Sequence, residues 1–284
     1  MQNGKQSQGT SSLGFAGTPF HFPSAKSYNP PMAMVHDRCI CLRKVEFSET
    51  SQILVLFSRA HGLQRVIAKG AHRRTKAGSS KFDGGADLLD VGQAVFIQQL
   101  EKDMGMLTEW SLREGHLELR RDLRGMYLGL YAAELVSLLF EEHDPHPEVF
   151  DRLEITLLEL AGPRNEEAFL AFQLDLLRDS GYLPELGACV NCGSVLSPRE
   201  PCFFSPSRGG ILCQNCQGTQ PDRLPFDPRL LGMLQTILRL PKSNGTVQRL
   251  PRLTRHQTDP INRIFAGHMQ HMLGKKLRMP GYVL

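Results

Sequence analysis

The sequence predicts an α+β chain of more than one domain: a small closed β-barrel, then a helical domain carrying an inserted four-cysteine zinc knuckle. Three observations lead there. Short apolar segments alternate with period two from Asp37 to about Trp110. After Leu117 the spacing changes to that of amphipathic helices. Two Cys-x-x-Cys pairs, Cys189/Cys192 and Cys213/Cys216, then stand twenty residues apart.

Taken in order, residues 1–33 read as a disordered tail, rich in Gly, Ser, Gln and Pro and without the apolar run of a signal peptide. Met32 and Met34 offer alternative starts directly before the first strand. The barrel is expected over 34–113. Its segments begin Cys39-Ile40-Cys41-Leu42, Ile53 to Phe57 and Leu63 to Ala68, followed by Asp90 to Ile97 and Met106 to Trp110. Five short strands separated by glycine or charged turns suit a small closed barrel, with His61-Gly62 as a tight turn. Phe57 and Phe96 are expected in the core, and Trp110 in barrel or interdomain packing.

The helical domain is expected over 114–284. Tyr127 to Leu139, Val149 to Leu158 behind Pro145 and Pro147, and Phe169 to Leu177 ending at Gly181 give three apolar faces. The knuckle spans 187–218, and two more helices are expected near 228–240 and 260–277.

Two Cys-x-x-Cys pairs on turns place four thiolates around one Zn²⁺, a closed set that organises structure and leaves no position for chemistry. Two disulfides, or four cysteines without a joint role, are the alternatives. Six of the seven cysteines fall in Cys-x-Cys or Cys-x-x-Cys groupings without an export signal, which favours a reducing cytoplasm and metal binding. Cys202 reads as a small buried residue rather than a fifth ligand. His116-Leu117-Glu118 imitates half of a zinc-deaminase signature. Ala188 stands where that signature needs proline, and the second Cys pair already completes the coordination.

The net charge of +4 conceals segregation. Residues 59–81 hold seven Lys/Arg and no Asp/Glu; residues 82–201 are net −14; residues 249–284 are net +6. Arg65, Lys69, Arg73, Arg74, Lys76 and Lys81 follow or sit on the third strand. They make a flexible basic rim of the kind that neutralises phosphates without reading sequence. A merely solvated loop is the competing reading. Arg249, Arg252, Arg255, Lys275 and Lys276 are a possible second anionic contact, although the lysines also suit a helix C-terminus. His268 and His271 lack acidic or cysteine partners nearby and read as core or surface histidines. The chain has no phosphate-binding G-x-x-x-x-G-K-[ST] loop, no G-x-S-x-G elbow and no H-E-x-x-H, so the common hydrolytic chemistries lack their parts.

Four stretches together resemble the RecO family of bacterial recombination mediators. They are Glu49 to Leu54; His61-Gly62-Leu63 through Lys69-Gly70-Ala71; Leu176 to Tyr182 leading into Cys189; and Phe204-Ser205-Pro206-Ser207-Arg208-Gly209-Gly210 leading into Cys213. The resemblance implies an N-terminal OB-fold barrel and a helical domain with a zinc knuckle. It implies binding of single- and double-stranded DNA, strand annealing, and help in loading RecA onto DNA coated by single-strand-binding protein (SSB). It further implies complex formation with RecR and contact with the acidic, apolar C-terminal tail of SSB. Lys69, Arg73, Arg74 and Lys76 match the family's basic barrel loop, while His72 stands where arginine is common.

The expected protein is therefore a non-enzymatic, cytoplasmic, nucleoid-associated DNA-binding mediator with one structural Zn²⁺ and no membrane partner. A zinc-knuckle adaptor for protein interactions, with incidental DNA contact, is the alternative.

Overall fold

The computed structural model describes residues 34–70, 82, 85–98, 104–197, 199–240 and 250–284. The expected tail 1–33 and most of the basic stretch, with Arg73, Arg74, Lys76 and Lys81, lie outside the described residues, as does Arg249.

The alternating segments form β1 (Met34–Ser48), β2 (Ser51–Ser58), β3 (Gly62–Lys69), β4 (Val91–Ile97) and β5 (Gly105–Glu114). They close into a barrel in the order β1-β2-β3-β5-β4. Strand β1 is long enough to pair antiparallel with both β2 and β4, and a parallel β3–β5 seam completes the ring. This is an OB-type barrel. Alternation sends Cys39, Cys41, Leu54, Leu56, Val66, Phe96, Leu107 and Trp110 inward. Trp110 thus belongs to the barrel interior.

Among the described residues six α-helices follow: α1 (Leu123–Leu139), α2 (Pro147–Leu160), α3 (Asn165–Asp179), α4 (Pro228–Leu238), α5 (Arg255–Leu273) and α6 (Pro280–Val283). Asp122 caps α1 by accepting from Arg124 N and Gly125 N. Pro147 opens α2, where its missing N–H costs nothing. The first turn of α3 buries two acids that tie neighbours together. Glu166 takes Arg124 through both oxygens (2.6 and 3.1 Å) and the Thr258 hydroxyl (2.5 Å). Glu167 accepts from Leu253 N at 3.1 Å. The C-terminal segment returns to α1: Glu134 accepts from the Arg278 and Met279 amides, and Arg124 donates to Val283 O.

Helix α5 corrects the expected 260–277. The helix starts at Arg255, where Gln257 Oε1 accepts the Thr254 N–H at 2.9 Å in a capping box. Pro260 lies one turn further on. Gly274, at φ +61°, ends the helix before Lys275.

Barrel and helices share a core. Ile40, Leu42, Phe57, Leu63, Leu89 and Val91 pack with α1, α2 and α3 in one continuous apolar cluster. The Phe57 ring meets Phe150 at 5.8 Å and Phe140 at 6.4 Å. Around this contact Asp151 of α2 accepts two bonds from Arg59 (2.8 and 2.7 Å) and one from Arg38 (3.0 Å). Residues 33–284 form one compact unit. Among the described residues, no helix is long and apolar enough to cross a membrane.

Candidate metal centre and nucleic-acid surface

Between α3 and α4 the chain makes a three-stranded antiparallel sheet, β6 (Cys202–Ser205), β7 (Gly210–Cys213) and β8 (Leu224–Phe226), in the order β7-β6-β8. Its four- and three-residue strands are too short for alternation to reveal. The β6–β7 turn is latched by Asp222, which accepts from the Ser205 hydroxyl and Ser207 N at 2.8 Å each.

The first cysteine loop lies along β7. Ile211 N donates to Glu185 O at 3.0 Å, and Val190 N donates to Ile211 O at 2.9 Å. Gly210 allows this approach, since a Cβ there would stand 2.5 Å from the Val190 side chain and 2.7 Å from Glu185 O. Cys189 and Cys192 are thereby brought to Cys213 at the end of β7 and Cys216 one turn beyond.

The four sulfurs lie within 4.8 Å of one another. Cys192 Sγ and Cys213 Sγ are 3.8 Å apart, close to the ~3.8 Å edge of a tetrahedron with 2.3 Å metal–sulfur bonds. Donors surround the sulfurs as a thiolate set requires. Cys213 N–H points at Cys189 Sγ (3.4 Å), and the Asn191 amide donates to Cys216 Sγ (3.3 Å). Cys192 Sγ sits 3.2 Å from Ser194 Oγ. That hydroxyl and the Ser194 amide pull the Cys192 thiol down to about 6. Asn191 favours the Cys216 thiolate, but burial and the three neighbouring sulfurs prevail and push it up to about 11. Four thiolates crowded this closely need a cation to neutralise them, and the donor set fits a tetrahedral ion.

Cys202 is buried on β6 with its thiol toward Phe226 O (3.4 Å), pushed up to about 11 by burial. It stands outside the group of four. His116 is likewise buried and outside it. His268 is a core histidine whose ring nitrogens face Tyr182 O (2.9 Å) and Pro206 O (3.4 Å).

The basic candidates fall into distinct settings. Lys69 ends β3 exposed, without an acidic partner among the described residues. Arg65, also on β3, rests on Glu142 at 2.7 Å. Arg252 donates to Pro163 O at 3.0 Å, and Arg255 is held by Asp259 (3.1 Å) and Val283 O (3.2 Å). Lys275 and Lys276 are exposed just past Gly274.

A feature not foreseen from the sequence is a cleft of about 550 Å³ between the first cysteine loop and α4. Leu183, Leu186, Leu196 and Leu238 supply its apolar lining, with Glu185 and Arg239 as its charged groups. The Glu185 carboxylate is taken up by the Gly187 and Ala188 amides (2.6 and 3.0 Å). The Arg239 side chain has no acidic partner among the described residues. Only the folded knuckle brings residues 183–196 beside 235–239, so no local pattern announces the cleft.

Comparison with known proteins agrees with this architecture. Residues 32–116 match the family model described as Recombination protein O N terminal, and residues 120–278 the one described as Recombination protein O C terminal. A protein named DNA repair protein RecO from Rhodopirellula baltica is 36% identical over 183 residues, which cover 64% of this chain and 66% of that one. Its namesake from Anaeromyxobacter sp. strain K is 30% identical over 239 residues, 84% of this chain and 91% of the relative. With both halves matched in order across the barrel and the helical region that holds the cysteine cluster, the chain belongs to the RecO family of DNA repair proteins.

Proposed function

We propose that this protein acts in recombinational repair as a mediator that binds single- and double-stranded DNA and anneals complementary strands. In this reading it also helps load RecA onto SSB-coated DNA, in complex with RecR. One Zn²⁺ held by Cys189, Cys192, Cys213 and Cys216 serves stability alone. The observation that supports the reading best is the OB-type barrel whose third strand ends in Lys69, exposed and without an acidic partner among the described residues, where an acid-free basic stretch begins.

The physical account needs no bond-making group. Two DNA strands repel each other through their phosphates. A surface that neutralises both while leaving base edges free lowers the barrier to their encounter. The acidic, apolar SSB tail needs aliphatic surface beside a free cation, and the Leu183–Leu238 cleft with Arg239 has that composition.

The test is annealing of complementary SSB-coated oligonucleotides by the wild type and by Lys69→Ala/Arg73→Ala/Arg74→Ala. Acceleration by the wild type, suppressed by salt and lost in the triple variant, is expected. For single strands each lost phosphate contact should reduce the slope of log K against log salt by about 0.7. No acceleration by the wild type transfers the argument to the adaptor reading. Normal annealing by the variant moves the DNA surface elsewhere, with Lys275 and Lys276 next.

A further inference from the structure

The outer face of the barrel carries an ordered row that the basic stretch alone does not explain. Val45 pairs with Ile53, Ile53 with Ile67, and Ile67 with Met106 across the parallel seam. These residues alternate with the inward Leu54, Val66, Ala68 and Leu107, so their side chains lie on the outside. Val45 is 42% exposed and the other three half-buried. The row is therefore a solvent-facing aliphatic strip across β1, β2, β3 and β5.

Cations flank it on both sides. Arg43 and Arg65 both pair with Val55, one register step away. Lys69 pairs with Ser51 on the other side. Phe47 sits at that same end, in the register shift between the pairs Glu46–Gln52 and Ser48–Ser51. It is 62% exposed, a large aromatic with no packing role to account for it. The nearby acids are Glu46, which accepts from Gln52 (3.0 Å), Glu49 in the hairpin turn, and Glu142 on Arg65. Arg43 and Lys69 keep no acidic partner among the described residues.

We propose that Phe47 and the Val45–Ile53–Ile67 strip form a base-contacting platform for single-stranded nucleic acid, with Arg43 and Lys69 holding its phosphates. This rests on the DNA-binding reading above and deepens it, because it assigns the preference between strand types to one side chain. An exposed aromatic stacks on any unpaired base, whereas a duplex keeps its base faces occupied. Stacking uses the flat face of a base and leaves its pairing edge outward, which a complementary strand needs. A protein partner would also cover aliphatic surface, but the acid-free cation excess of residues 59–81 favours a polyanion.

The experiment measures binding of the full chain and its Phe47→Ala variant to three labelled probes at one salt concentration. These are an oligo-dT strand, an abasic strand of the same length and charge, and a duplex. Phe47→Ala should lose roughly tenfold on oligo-dT, with abasic and duplex affinities and Tm unchanged. Phe47→Trp supplies a second readout: its fluorescence should be quenched by oligo-dT and not by the abasic strand. Equal affinity of wild type and Phe47→Ala for oligo-dT, equal losses on all three probes, or a tryptophan indifferent to oligo-dT would overturn the platform while leaving DNA binding intact. Failure of the wild type to bind any probe overturns the DNA-binding reading itself.

Discussion

The side-chain amide of Asn191, in the first cysteine loop, donates to Cys216 Sγ of the second at 3.3 Å. This bond crosses between the two halves of the cluster and orients one cysteine against a side chain of the other loop. Outer contacts of this type set metal affinity as well as geometry. Asn191→Ala should keep the fold and weaken zinc retention by about 10- to 100-fold, measured by competition with a chelating dye. Cys213→Ala should do more, since an incomplete site forfeits folding free energy. Poor folding and no bound zinc by mass spectrometry are expected, and a well-folded, zinc-free, DNA-binding variant contradicts the structural role.

The cleft beside the cluster gives a charge-reversal prediction. Arg239→Glu should weaken binding of an acidic, apolar-ended peptide at least tenfold in a fluorescence-anisotropy titration, while oligonucleotide affinity stays the same. A tenfold loss corresponds to about 1.4 kcal/mol, close to the lower end of what one hydrogen bond to a charged group contributes. An unchanged peptide affinity would place that contact on another surface.

Gly92 and Trp110 predict a cost of overpacking. A Cβ on Gly92 would stand 2.5 Å from the indole, which is confined inside the barrel. Gly92→Ala should therefore destabilise by about 1–3 kcal/mol. Trp110 is the chain's only tryptophan, so its emission reports the barrel directly. A red shift with a lowered urea midpoint is expected; an unperturbed spectrum at wild-type stability would mean the barrel yields there freely.

Two aspartates predict how stability falls in acid. The Arg59 guanidinium, aided by Arg38, holds the Asp151 carboxyl below its ordinary value. Burial would raise that of Asp37, but hydrogen bonds from Ser58, Ala60 N, His61 and Arg38 N prevail and lower it. A lowered folded-state pKa contributes fully above the unfolded value of about 3.9 and is lost as pH falls through the folded one. Below roughly pH 4 the wild type should thus lose Tm faster than Asp37→Asn or Asp151→Asn. Asp151 is partly exposed, so its share stays under about 1 kcal/mol and shrinks further in high salt. Parallel pH profiles for wild type and variants would contradict the assignment.

What the sequence made legible divides by the range of the interaction. Strands β2 to β5 were readable because Leu54, Leu56, Val66 and Phe96 alternate with outward residues. The four-cysteine cluster was readable because a Cys-x-x-Cys turn is local chemistry. The start of α5 at Arg255 was missed because the capping exchange between Thr254 and Gln257 is quiet in sequence. The Arg59–Asp151 clamp, the Arg65–Glu142 pair and the Arg239 cleft were invisible. Each joins residues more than forty positions apart, and only the packed barrel and knuckle bring them together.

The return of residues 278–283 onto α1 governs the order in which this protein can mature on the ribosome. Glu134 waits for the amides of Arg278 and Met279, and Arg124 for the Val283 carbonyl, until some 150 further residues have been synthesised. The barrel closes its own hydrogen-bonded ring with residues up to Glu114. Nascent chains should thus present a finished barrel ahead of a helical half whose first helix is still unsealed, the interval in which a chaperone has something to hold.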